Sequence, residues 1–130
     1  VLNTGSPHYI LKVQDLANLD VFKEGSAIRN NATYGEKGIN VNFIEAEGNG
    51  YFVRTFERGV EDETFACGTG ATAAAMAIAI DQNLEGDITL PIRVLGGQLY
   101  ISFHKSGTTF TNVYLKGPAN FVFKGEIEID

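Results

Sequence analysis

The single cysteine of this chain is the residue best placed to do chemistry. Cys67 stands in the stretch ETFACGTGATAAAMAIAI, residues 63–80, directly before a Gly-Thr-Gly step and an alanine-rich run. That run is apolar on every side except at Thr72, which predicts a helix from about Gly68 to Gln82 that is enclosed by the rest of the protein. The free N–H groups in its first turn would bind a carboxylate or phosphate and would activate a neighbouring thiol. Cys67 is therefore a candidate catalytic thiol.

A glutamate–arginine pair lies upstream, in the stretch RTFERGVEDET. Glu57 could accept an ammonium group, while Arg58 could bind a carboxylate through two hydrogen bonds. Together with a helix N-terminus that binds a second carboxylate, these groups suit an amino acid whose α-carbon faces Cys67.

Each of these residues also has a purely structural interpretation. A lone cysteine is commonly a small buried side chain, and Glu57 and Arg58 are explained by a solvated strand end. His8 begins a strand after a Pro-fixed turn and can be structural or exposed, and His104 lies in no motif. Asn40 and Asn42 share one strand face by the period of two, which predicts a solvent-facing side.

The positioning elements are mostly strands. The hairpin turns EGNG (47–50) and LGGQ (95–98) predict antiparallel pairing of 40–47 with 51–58 and of the two runs around the second turn. In the strand after EGNG, Phe52, Arg54, Phe56 and Arg58 alternate with Tyr51, Val53, Thr55 and Glu57. A first helix is predicted at about 20–30, weakened by Gly25.

Composition limits the classes of protein. The chain has 130 residues, 44% of them hydrophobic, and a net charge of −6, which fits one domain over 1–130 and disfavours a nucleic-acid partner. It shows no leader-like or membrane-spanning apolar run, and one cysteine forms no internal disulfide, so we expect a cytoplasmic protein without a membrane partner. The start at Val1, almost directly before a strand, suggests that the chain is part of a longer protein.

The order of motifs resembles the carboxy-terminal half of the diaminopimelate epimerase family. RTFERGVEDETFACGTGATAAA looks like its signature, and NTGSPHYI, IRNN, GINVNF and VYLKGPANFVFKGEI resemble further segments in the same order. The resemblance implies an α+β fold in which a curved, mostly antiparallel sheet wraps around a central buried helix, as one half of a two-domain protein.

The family resemblance also implies an isomerase that inverts one α-carbon of LL-diaminopimelate to the meso form, in lysine and peptidoglycan precursor biosynthesis. It uses two cysteines and neither pyridoxal cofactor nor metal. By resemblance, Cys67 is one acid/base residue, and Glu57 and His8 belong to the catalytic set. The substrate-binding residues would be Ser6, Asn40, Glu57, Arg58, Gly68 and Thr69. Ser6 departs from the family, which commonly has asparagine there.

The resemblance leaves the partner cysteine to an amino-terminal half that these residues do not match. We therefore expect the chain to be inactive alone, and its uncovered sheet edge to favour self-association, with a homodimer as one form. Three alternatives stay open: half of a related proline or hydroxyproline racemase, a thiol redox protein that lacks a resolving cysteine, and a non-catalytic module that binds a carboxylate.

Overall fold

A computed structural model of the chain describes residues 2–3, 7–34, 38–64, 68–117 and 122–128. The strands in these ranges are β1 Leu2–Asn3, β2 Pro7–Lys12, β3 Asn40–Glu47, β4 Gly50–Glu57, β5 Asp62–Thr64, β6 Gly86–Val94, β7 Gly97–Ser106, β8 Thr109–Lys116 and β9 Val122–Glu128. The α-helices are α1 Val21–Arg29 and α2 Gly68–Asp81, and short 3-10 helices cover Leu16–Asn18 and Ala32–Tyr34.

All of these strands form one curled sheet in the order β1-β2-β3-β4-β6-β7-β8-β9, with β5 paired to β4. Neighbouring strands are antiparallel except for β2–β3 and β4–β6, which are parallel. The chain between each parallel pair contains a helix, α1 in one case and α2 in the other. Both predicted hairpins are confirmed, with Glu47 opposite Gly50 and Val94 opposite Gly97.

Helix α2 lies in the concavity of the sheet and forms the centre of the core. It packs against β1, β2, β3, β4, β6 and β7, and its residues from Gly70 to Met76 are all buried. Alanine side chains let these strands approach the helix closely, so the predicted enclosed helix is confirmed. In the described part of the chain, no helix is both long and apolar enough to cross a membrane.

Helix α1 packs on the opposite face of the sheet, against β3, β4 and β5. The Asp20 side chain caps it by accepting a 3.1 Å hydrogen bond from the backbone N–H of Lys23. The predicted helix is confirmed, and Gly25 has a packing role. A Cβ at position 25 would lie 2.4 Å from the Phe56 Cβ, so only glycine allows α1 to approach β4 this closely.

The prediction that Asn40 and Asn42 face solvent is wrong. Their side chains are 4% and 0% exposed. The period-two alternation is correct, but both faces of β3 are covered. Val41 and Phe43 pack in the cluster beneath α1, whereas Ile44, on the same face as the two asparagines, packs with α2. Over Asn40–Ile44, a polar residue of β3 is therefore buried whichever face it occupies.

Candidate active site

His8 and Asn40 lie side by side in the parallel pairing of β2 with β3. The register places His8 opposite Asn40, and the His8 side chain is fully buried. The Asn40 Nδ2 donates a 3.1 Å hydrogen bond to the carbonyl oxygen of Pro7, and its Oδ1 accepts a 2.9 Å hydrogen bond from the backbone N–H of Arg58. Asn40 thus ties the start of β2 to the end of β4.

The Glu57–Arg58 pair lies where β4 ends and a tight turn begins. Within this turn the Glu61 N–H donates to the Glu57 carbonyl at 2.8 Å, and the Glu61 carboxylate accepts the Gly59 N–H at 2.9 Å. The Arg29 guanidinium of α1 pairs with the same carboxylate at 2.7 Å. Both Gly59 and Glu61 have left-handed backbone conformations, with φ of 89° and 59°. The turn is therefore held by hydrogen bonds at both of its ends.

Strand β5 follows this turn and ends three residues before Cys67 in the sequence. Arg54 on β4 binds the Glu63 carboxylate through two 2.6 Å hydrogen bonds and also donates to the carbonyl oxygens of Leu16 at 2.7 Å and Leu19 at 3.0 Å. One guanidinium therefore joins β5 to the segment before α1. The buried Thr64 hydroxyl, at the end of β5, has no hydrogen-bond partner within the described ranges.

The mouth of α2 is where the sequence predicted it. The helix begins at Gly68, and the exposed residues Gly68 and Thr69 form its first turn. The Thr72 hydroxyl donates a 2.8 Å hydrogen bond to the Gly68 carbonyl oxygen, and a Cβ on Gly68 would lie 3.3 Å from Leu115. The backbone N–H groups of this turn point along the helix axis at the positive end of the helix dipole.

The electrostatic setting of His8 keeps its ring neutral. Burial lowers the pKa of His8 from 6.5 to about 4, and the positive charge of Arg58 adds to the effect. Both causes disfavour the imidazolium form. At neutral pH His8 is therefore an uncharged hydrogen-bonding group next to Arg58.

The structure brings together three of the predicted site residues, His8, Asn40 and Arg58, with Glu57 adjacent in the chain. Gly68 and Thr69 form the first turn of α2, at least four residues after Thr64 in the sequence. Ser6 and Cys67 lie outside the described residues. In the described part, no group of three or more His, Cys, Asp or Glu side chains is arranged to hold a metal ion.

Sequence reasoning missed two residues beside this group, Asn42 and Thr55. Asn42 Nδ2 lies 3.0 Å from His8 Nδ1, and the Thr55 hydroxyl donates to Asn42 Oδ1 at 2.8 Å. The signal was present, because two asparagines alternate with the apolar residues of GINVNF. Asn42 is part of a buried polar network because both faces of β3 are covered by other elements at this position, which the alternation alone does not show.

Comparison with known sequences gives consistent matches. The profile of the diaminopimelate epimerase family matches residues 1–122. The diaminopimelate epimerase of Flavobacterium psychrophilum is 49% identical over 128 residues, which cover 97% of this chain and 49% of that protein. That of Methanocella arvoryzae is 43% identical over 129 residues, covering 99% and 44%. The chain spans about half the length of the curated relatives it matches.

Solved structures share the fold at low sequence identity. A predicted epimerase from Pseudomonas aeruginosa matches with a TM-score of 0.61 at 12% identity, over 83% of this chain and 35% of that one. A hydroxyproline epimerase from Agrobacterium vitis, solved with bound trans-4-hydroxy-L-proline, matches with a TM-score of 0.58 at 9% identity, over 73% and 28%. Both support the expected fold of a curled sheet around a buried helix.

Proposed function

Because the chain belongs to the diaminopimelate epimerase family, we propose that residues 1–130 are one domain, the carboxy-terminal half of an enzyme that converts LL- to meso-diaminopimelate. The observation that carries this proposal is the family match over residues 1–122, which includes Glu57–Arg58 and the Cys67-Gly68-Thr69 step in the expected order. The reaction would be cytoplasmic, would supply lysine and peptidoglycan precursors, and would need neither pyridoxal cofactor nor metal.

The proposed substrate contacts follow from the charges of the site. The N–H groups at Gly68 and Thr69 bind the carboxylate next to the reacting carbon, because a helix N-terminus attracts an anion. Arg58 binds the distal carboxylate and Glu57 the ammonium group. Asn40 supports this arrangement, because its hydrogen bond to the Arg58 N–H fixes the backbone that carries the Glu57 and Arg58 side chains. Ser6 adds a further hydrogen bond to the substrate.

The proposed chemistry is a proton transfer across the α-carbon. One cysteine, as the thiolate, removes the α-proton and becomes a thiol, and the electron pair of the broken C–H bond spreads into the adjacent carboxylate. The helix N–H groups stabilise this charge. A second cysteine, as the thiol, then protonates the opposite face of the carbon and becomes a thiolate. Cys67 is one of the two groups.

The chain has one cysteine, so the second must come from another segment. We place it in an amino-terminal half, which would pair with this chain across a shared cleft. The 130 residues by themselves would then expose one face of the α-carbon to solvent and would not epimerise diaminopimelate. Self-association of the uncovered chain, as a homodimer, would not supply the missing half.

The test is proton exchange in deuterated water. The chain would be fused behind the amino-terminal half of the Flavobacterium psychrophilum relative and compared with the 130 residues alone. We expect the fusion to invert diaminopimelate and incorporate deuterium at its α-carbon, and Cys67→Ala in the fusion to abolish both. Exchange and inversion by the 130 residues alone would contradict the requirement for a second half.

Substrate choice separates the alternatives in the same assay. A fusion that exchanges the α-proton of proline or hydroxyproline, and not that of diaminopimelate, would identify a related racemase. A correctly folded fusion that binds diaminopimelate without exchanging its α-proton would identify a carboxylate-binding module. Loss of α-proton exchange from diaminopimelate in Cys67→Ala, with binding of diaminopimelate retained, is expected only for the epimerase.

A further inference from the structure

A polar relay crosses three strands next to the proposed site. It runs from Thr55 on β4 through Asn42 on β3 to His8 on β2. Thr55 lies directly opposite Asn42 in the antiparallel register, and its hydroxyl donates to Asn42 Oδ1 at 2.8 Å. Asn42 Nδ2 lies 3.0 Å from His8 Nδ1. Asn42 and His8 are both fully buried, so water does not compete for these bonds.

The orientation of the Asn42 amide follows from a neighbour that can only accept. Asn42 Nδ2 also donates to the carbonyl oxygen of Tyr9, at 3.4 Å. A flipped amide would place its oxygen against that carbonyl oxygen and would leave both without a donor. The Thr55 hydroxyl, which can donate or accept, satisfies this orientation by donating to the amide oxygen. The NH₂ group of Asn42 therefore faces His8.

This orientation determines which nitrogen of His8 carries the proton. An amide NH₂ donates and does not accept, so His8 Nδ1 must be the unprotonated, accepting nitrogen. A neutral imidazole then carries its single proton on Nε2. The neutral state agrees with the burial of His8 and with the nearby charge of Arg58.

We propose that Asn42 and Thr55 are positioning residues that hold His8 as the neutral Nε2–H tautomer, so that the imidazole serves the site as a hydrogen-bond donor and not as a proton-accepting base. The use of that donor in catalysis rests on the epimerase function proposed above. The tautomer itself does not, since it follows from contacts within the chain. The two parts can therefore fail separately.

The test is the ¹⁵N spectrum of the imidazole rings in the 130-residue chain at pH 7.5. The chain has two histidines, and the second provides an internal control. His104 Nδ1 lies 2.9 Å from the Asp87 carboxylate, which can only accept, so that nitrogen is protonated. We expect an unprotonated Nδ1 and a protonated Nε2 for His8, and a protonated Nδ1 for His104. His104→Gln removes one set of signals and so assigns the other.

Two substitutions test whether the relay holds the tautomer. Asn42→Asp replaces the donor facing His8 by an acceptor at nearly the same volume, and we expect the proton to appear on His8 Nδ1. Thr55→Val removes the hydroxyl bonded to the amide oxygen and so loosens the amide, and we expect the His8 Nδ1 signal to move towards that of exchanging tautomers, whereas Thr55→Ser should keep the unprotonated signature.

The outcomes decide the proposal without an activity assay. A protonated Nδ1 or a charged His8 ring in the unsubstituted chain overturns it. If Asn42→Asp does not fold, Thr55→Val with Thr55→Ser decides, and a His8 signal that is the same in both overturns the relay. A confirmed tautomer together with an inactive fusion enzyme would contradict the proposed function alone.

Discussion

The backbone N–H of Arg58 donates a 2.9 Å hydrogen bond to the buried side chain of Asn40, so an asparagine inside the sheet holds the turn that carries the candidate substrate-binding arginine. The contact uses the Arg58 main chain and leaves its guanidinium out of this bond. The position of the turn and the charge that it presents are therefore set by different atoms of one residue, and substitution can separate them.

Replacement of Arg58 by lysine keeps the backbone hydrogen bond and the positive charge but removes the planar pair of donors. We expect the KM of the fusion enzyme for diaminopimelate to rise about 10- to 100-fold, because a charge-assisted bidentate contact contributes about 1.5–3 kcal/mol. Steady-state epimerisation assays measure it. The control is Arg93→Lys, which should leave KM unchanged. Arg93 lies on β6 opposite Phe52, and Phe52 is five residues before Glu57 on β4. An unaltered KM in Arg58→Lys would indicate a substrate without a distal carboxylate.

Stability should depend on pH through His8. Its pKa is lowered to about 4 in the folded chain and returns to about 6.5 on unfolding. Below pH 6.5 the folded state binds fewer protons than the unfolded state. The contribution of His8 to the free energy of unfolding is therefore complete above pH 6.5 and decreases by about 3 kcal/mol as the pH falls towards 4. Urea unfolding of the unsubstituted chain and of His8→Gln between pH 7.5 and 4 measures it. The stability advantage of the unsubstituted chain should shrink over this range, and parallel curves would contradict the assignment.

The Arg54–Glu63 pair should contribute more to stability than a comparable surface pair. Its side chains are only 13% and 18% exposed, and Arg54 also binds two carbonyl oxygens. We expect Glu63→Gln to lower the free energy of unfolding by about 2 kcal/mol, since it leaves a partly buried guanidinium without its anion. The matched control is Glu47→Gln in the exposed pair with Arg93, for which about 0–1 kcal/mol is expected. Equal losses of unfolding free energy in Glu63→Gln and Glu47→Gln, measured by urea unfolding, would contradict this expectation.

Helix α1 should not tolerate a larger residue at position 25. Gly25→Ala raises helix propensity by about 1 kcal/mol, but the added Cβ would meet the Phe56 Cβ at 2.4 Å. We expect a net loss of about 1–2 kcal/mol, because overpacking of a closely docked element costs more than the propensity gain. Lys23→Ala, at an exposed position of the same helix, serves as the reference. Greater thermal stability of Gly25→Ala would show that α1 can shift away from β4.

Much of the local structure could be predicted from short patterns. The turns EGNG and LGGQ located both hairpins, because glycine and asparagine supply the backbone conformations that tight turns require. The apolar run after Cys67 identified α2 as a buried helix, because it has no polar face. The family resemblance then placed these elements in a known order and selected Asn40 and His8, which spacing alone did not single out.

The sequence by itself thus determined the two hairpins, both α-helices and the family, since these depend on the types and order of neighbouring residues. Tertiary structure decided the surroundings of Asn40, Asn42 and His8. The predicted alternation of β3 is correct, but the face that carries Asn40 and Asn42 is covered by α2 and not by water. The burial of these side chains and their hydrogen bonds depend on partners that lie 13 to 34 residues away in the sequence. The alternation of residue types within the strand contains no information about those partners.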